Sequence, residues 1–241
     1  MSSTVYPPQV YAFLSFIHHN APALPSTPAR RILDCGAGGP RPPLALFAEH
    51  GFVAVGVELD AVRAELARSA GRERGLTLDI RQGDMRALPF EDGSFDYVYE
   101  FYSLCHLSRA DMPVAIGEMM RVLKPGGVCY LGFMGKSSWP VFGREMGKGE
   151  LVIEEGGHPV LHSVYEEGEP DAYFKPWIIV QKHVSVQRNL TQWRDMSLEE
   201  WMDALPESER ELEERAWRDA YADRLSRVNY THEFYYVLKP L

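Results

Sequence analysis

The stretch Ile32-Leu33-Asp34-Cys35-Gly36-Ala37-Gly38-Gly39, followed by Val53-Ala54-Val55-Gly56-Val57-Glu58, most constrains what this chain can become. An apolar run ends in an acid, opens into a glycine turn and feeds a helix, and a second apolar run then ends in another acid. Gly36 and Gly38 let the backbone bend sharply at the carboxyl end of a strand and approach a ligand with no Cβ in the way. Pro40, Pro42 and Pro43 follow where a helix must start, and proline suits a first helical turn.

The acids give the turn its chemistry. Asp34 ends the first strand, where a carboxylate can orient a cationic group, and Glu58 ends the second, where it can accept both hydroxyl protons of a ribose. A nicotinamide dinucleotide site shares the second acid but fits poorly. Its third glycine would fall at Arg41, and Asp34 would set a negative charge beside a pyrophosphate. A sulfonium carrying an amino acid tolerates that charge, so S-adenosylmethionine is the expected cofactor.

Further motifs follow in order. Leu76 to Arg81 alternates like a strand and runs into Gln82-Gly83-Asp84-Met85, where Asp84 is placed to bond an adenine amino group and Met85 to pack on the ring. Leu88 to Glu100 reads as a turn and a fourth strand. Gly117 to Gly127 reads as a helix with a Pro-Gly-Gly stop, and Val128 to Phe133 as the next strand.

These motifs together resemble the class I S-adenosylmethionine-dependent methyltransferases, small-molecule type, over roughly residues 30 to 135. The resemblance implies an α/β, Rossmann-like doubly wound fold: a mostly parallel seven-stranded sheet with an antiparallel last strand and helices on both faces. It implies cofactor contacts at Asp34, Gly36, Gly38, Glu58, Leu59, Asp84, Met85 and Glu100. The family often has another glycine where Pro40 stands.

The expected activity is methyl transfer from S-adenosylmethionine to a small-molecule acceptor by in-line displacement. A non-catalytic cofactor-binding module is the competing expectation, and a nicotinamide-dependent oxidoreductase a more distant one. Glu100 to Leu107 follows the fourth strand and faces the methyl position, so Tyr102 and His106 are candidate catalytic residues, with His162 a further one. His158 and His162 share a four-residue spacing, but Gly156, Gly157 and Pro159 argue against the helix that would aim both at one ion. No metal is expected.

A chain of 241 residues with 45% hydrophobic content can bury one α/β core, so one domain is expected over 1–241. Residues 1–28 supply a helix, Pro8 to His19, and a stiff connector. Tyr6 and Tyr11 read as anchors for that helix. Residues 136–175 read as an irregular insertion serving as a substrate lid. Trp177 to Asn189 reads as a strand, Glu207 to Leu225 as an amphipathic helix, and Asn229 to Lys239 as the final strand. The net charge of -9, without a basic stripe, argues against nucleic acid. Cys35, Cys105 and Cys129 show no paired spacing, and no segment is apolar enough to span a bilayer. A cytoplasmic monomer or homodimer that does not engage membranes is the expectation.

Overall fold

A computed structural model describes residues 6–19, 30–136, 144–155, 157–188, 207, 210 and 229–241. The elements begin with α1 (Pro8–His19), β1 (Arg31–Cys35), α2 (Pro43–Glu49), β2 (Val53–Glu58), α3 (Ala61–Glu73) and β3 (Asp79–Gln82). They continue with β4 (Phe95–Glu100), a 3-10 turn (Leu104–His106), α4 (Met112–Val122) and β5 (Leu123–Gly135). Next come β6 (Arg144–Gly147), β7 (Glu150–Glu155), β8 (His158–Tyr165), a second 3-10 turn (Glu169–Phe174), β9 (Ile178–Arg188) and β10 (Asn229–Leu238).

Strands β3, β2, β1, β4 and β5 lie side by side and parallel. β10 inserts antiparallel between β5 and β9, which completes the expected seven-stranded core. The parallel strands carry nearly continuous apolar residues because both faces are covered. The period of two sorts them. Tyr97, Tyr99, Val128, Tyr130, Phe234 and Tyr236 pack under α1, while Val98, Cys129, Leu131, Phe133, Tyr235 and Val237 pack under α4.

The α1 side is an aromatic layer. Phe13 has ring centroids of Phe47, Tyr97, Tyr99, Tyr130 and Tyr236 within 6.4 Å, and Tyr99 stacks on Tyr130 at 5.3 Å. Tyr6 is buried, edge-on to Tyr11, with its hydroxyl bonded to Arg74, and so anchors the helix, whereas Tyr11 is exposed. α2 and α3 close this side through Leu44, Ala45, Ala64 and Ala67 against Ile80. Asp60 caps α3 by accepting from Val62 N and Arg63 N, and α2 starts at Pro43 as its prolines require.

Three boundaries differ from the sequence reading. α4 stops at Val122, and Leu123 to Gly127 already belong to β5, because the Pro-Gly-Gly segment is held by the Gly126 N to Lys239 O bond. β3 starts at Asp79, with Leu78 packing under α3 instead of pairing. The third concerns 136–175: its described part is not irregular but an antiparallel meander of β6, β7 and β8, joined to the carboxyl end of β5 through Met134 and Gly135. The signal lay in the glycines. Lys148 and Gly149 both take positive φ (55° and 75°) between β6 and β7, as a two-residue hairpin demands, and the two residues between Glu155 and His158 are both glycine.

The expected helix from Glu207 to Leu225 falls almost wholly outside the described residues, as do Trp139, Pro140 and Phe142. All three cysteines are buried, and none is in a disulfide. Among the described residues no helix is long and apolar enough to cross a membrane.

Phe13 is fully buried at the centre of the α1 layer, so Phe13→Ala is expected to cost about 3–5 kcal/mol, read as a shift in the urea midpoint followed by circular dichroism. A loss below about 1 kcal/mol would mean that α1 lies outside the cooperative core.

Candidate functional site

The glycine turn sits where β1 and β2 end together, since Asp34 is in register with Gly56 and Cys35 with Val57. Gly36 N and Ala37 N both donate to Val57 O, at 2.8 and 3.1 Å, which folds the turn back over β2. Gly36 has φ +89°, and a Cβ there would lie 1.9 Å from Ser103 Oγ. A Cβ on Gly38 would lie 2.3 Å from Glu58 Oε2. The turn is therefore pressed against the ends of both neighbouring strands, and only glycine leaves backbone there for a ligand to approach.

Glu58 is 8% exposed; its Oε1 accepts from Asp60 N at 3.0 Å, while Oε2 faces Gly38. Leu59, next in the chain, is exposed. Asp34 is 2% exposed, and Oδ2 has no hydrogen-bond partner. Burial, and then the nearby Glu100 carboxylate, push its carboxyl up to about 8, against the pull of a backbone hydrogen bond from Leu44 at the start of α2.

Glu100 is completely buried at the end of β4. Its Oε1 accepts from Ser103 N (2.6 Å) and Leu104 N (2.8 Å), and its Oε2 from Gly132 N (3.2 Å). Burial raises it to about 7 in spite of these bonds. Its oxygens are thus committed to the chain's own backbone. Asp84 is likewise engaged: Arg86 donates to both its oxygens, at 2.6 to 3.0 Å, and holds its carboxyl below the usual range. Met85 packs on the edge of the α4-side core.

The three candidate catalytic residues do not converge on one point. His106 and His162 meet, with ring centroids 4.7 Å apart, while Tyr102 pairs with His232, its Oη 3.3 Å from Nδ1. Cys105 stands between the pairs. It lines a recess with Tyr102, Gly132, Met134, His232 and Phe234, and its sulfur also lies near His106 and His162. Tyr102 takes φ +64°, a left-handed conformation uncommon for an aromatic residue, and such outliers gather at functional sites. His158 and His162, four apart on β8, are separated by about 13 Å of extended strand and do not form one site.

His232 was not legible as a site residue. It sits mid-strand in β10, opposite Met134 of β5, and is 4% exposed with Nε2 unpartnered. Burial lowers it to about 4, so the ring is neutral at neutral pH. The only hint in the sequence is a histidine at a position that strand alternation should make apolar.

Residues 33–131 match the family model described as a methyltransferase domain. A 24-methylenesterol C-methyltransferase 2 of Oryza sativa subsp. japonica is 37% identical over 112 residues, covering 45% of this chain and 30% of that protein. The sterol 24-C-methyltransferase of Schizosaccharomyces pombe is 35% identical over 117 residues, 46% of this chain and 29% of its own length. The chain thus spans about 30% of the length of these curated relatives. A SAM-dependent methyltransferase structure from Methanosarcina mazei superimposes with TM-score 0.65 at 18% identity, covering 99% of this chain and 100% of that one. The glycine turn and the acids at the strand ends thus lie inside a segment, 33–131, that matches a methyltransferase domain, and the chain has the fold of solved methyltransferase structures.

Proposed function

We propose that this chain transfers a methyl group from S-adenosylmethionine to a small, largely apolar acceptor. The observation that carries the reading is the cradle formed by Gly36, Gly38 and Glu58, which a single Cβ would fill, beside the orphaned Asp34 Oδ2. When bound, the cofactor supplies an electrophilic methyl carbon. The residues do the rest. Glu58 would accept the ribose hydroxyls, Asp34 would face the cationic methionine half, and Leu59 and Met85 would flank the adenosine. Asp84 can reach an adenine only by sharing its bonds with Arg86, and Glu100 acts by holding the turn after β4 in place.

The acceptor would lie at the carboxyl ends of β4 and β5, under the β6–β8 meander acting as a lid. Support comes from His162 of β8, which reaches across to His106 after β4, and from the apolar character of Phe101, Met134 and Phe234 nearby. The names of the relatives point to a carbon centre on an apolar substrate. Where the acceptor loses a proton, the Tyr102–His232 and His106–His162 pairs are the groups placed to take it.

Two measurements test this reading. Calorimetry is expected to show binding of S-adenosylmethionine and its demethylated product, with Glu58→Ala losing on the order of 1.5–3 kcal/mol, the worth of a charge-assisted bond. No heat with either ligand, together with binding of a nicotinamide cofactor, would overturn the reading. Binding without demethylated product over a panel of apolar acceptors would favour a cofactor-binding module instead.

The second concerns pH. Folded Asp34 and Glu100 hold protons up to about 8 and 7, whereas the unfolded chain releases them near pH 4. Stability without cofactor should therefore fall as pH rises from about 4 to 8, by about 1.4 kcal/mol per pH unit for each proton involved. Asp34→Asn should flatten that slope in urea titrations across this range. An unchanged slope would mean that Asp34 is already ionised in the folded protein.

A further inference from the structure

Cys105, His106 and His162 offer one sulfur and two imidazole nitrogens that all lie within 4.8 Å of one another. We propose that these three side chains bind a divalent cation of the zinc class. Tetrahedral zinc with bonds of about 2.0–2.3 Å holds neighbouring ligand atoms about 3.3–3.6 Å apart, so closing the site asks for a contraction of about 1 Å. A thiolate with two imidazoles suits zinc or cobalt and is a poor set for magnesium or calcium.

The surroundings are those of a supported site. His106 Nδ1 is 3.2 Å from Leu161 O, and a carbonyl there fixes the proton on Nδ1 and leaves Nε2 as the lone-pair nitrogen. Leu161 and His162 are neighbours on β8, so one strand provides both the anchor for the first histidine and the second histidine itself. Cys105 and His106 are adjacent in the 3-10 turn whose start, Ser103 N and Leu104 N, is held by Glu100. Cys105 and His162 are buried, while His106 is exposed and gives the ion a way in.

Three protein ligands leave a fourth position for water or for a heteroatom of a bound molecule. The cation would also join the meander to the turn after β4 through side chains of both. With His106 and His162 serving as ligands, proton transfer in the methylation reaction falls to Tyr102 and His232. Cation binding itself requires no cofactor and stands independently of that reaction.

The test uses the full chain without a polyhistidine tag, stripped with a chelator, kept reduced and titrated with cobalt(II). The expected result is one equivalent bound, with a thiolate-to-cobalt charge-transfer band and the visible bands of a tetrahedral site, all displaced by zinc. Cys105→Ser should remove the charge-transfer band. His106→Ala, at an exposed position, should weaken binding at least about tenfold. Absence of the band in the wild-type chain would overturn the proposal, as would a band that survives Cys105→Ser or an affinity unchanged in a His106→Ala protein with native circular dichroism.

Discussion

One buried carboxylate organises the working end of this molecule. Glu100 has no solvent contact, and it accepts hydrogen bonds from Ser103, Leu104 and Gly132. Those three amides belong to the turn after β4 and to the middle of β5. Without an acceptor each would be an unsatisfied donor in the interior, at a cost of about 1–3 kcal/mol apiece. The bonds bring the turn down onto the sheet. Ser103 is then held against Gly36, and Cys105 and His106 are presented to the meander.

The same carboxylate also bears on the glycine turn. Cys35 is in register with Glu100, and Asp34 stands one residue earlier, so two acids share a buried region at the ends of β1 and β4. Their proximity helps to raise Asp34 toward the neutral form. A ligand that brings positive charge to the orphaned Oδ2 reverses this. In the proposed reading, cofactor binding and the ionisation of Asp34 would thereby be linked, the ammonium supplying a counter-charge at Oδ2.

The two faces of the sheet do different jobs. On one, α1 covers an aromatic layer in which Phe13 touches partners from α2, β4, β5 and β10, tying the amino-terminal helix to strands distant in sequence. On the other, methionine-rich α4 and the second 3-10 turn pack over Phe133 and Tyr235. The proposed acceptor side lies at the carboxyl edge between them. There the end of β8 pairs with the end of β5, and His162 of β8 meets His106 in the turn after β4, a contact between residues 56 positions apart.

The α/β core was legible because its signals are local. Strand β1, the glycine turn and the acid at the end of β2 are each short patterns dictated by backbone geometry, and α1 and the final strand follow from periods of 3.6 and 2. The meander was less legible, since its strands are short and its hairpin glycines resemble those of an irregular loop. Side-chain partnerships were not legible at all. Local patterns were enough for the parallel sheet, the glycine turn and the order of the acids. It took the folded arrangement to show that Glu100 serves the backbone, that Tyr102 meets His232, and that Cys105, His106 and His162 come together. Such contacts depend on which strands are neighbours and in what register, and a one-residue slip would turn His162 or His232 to the opposite face.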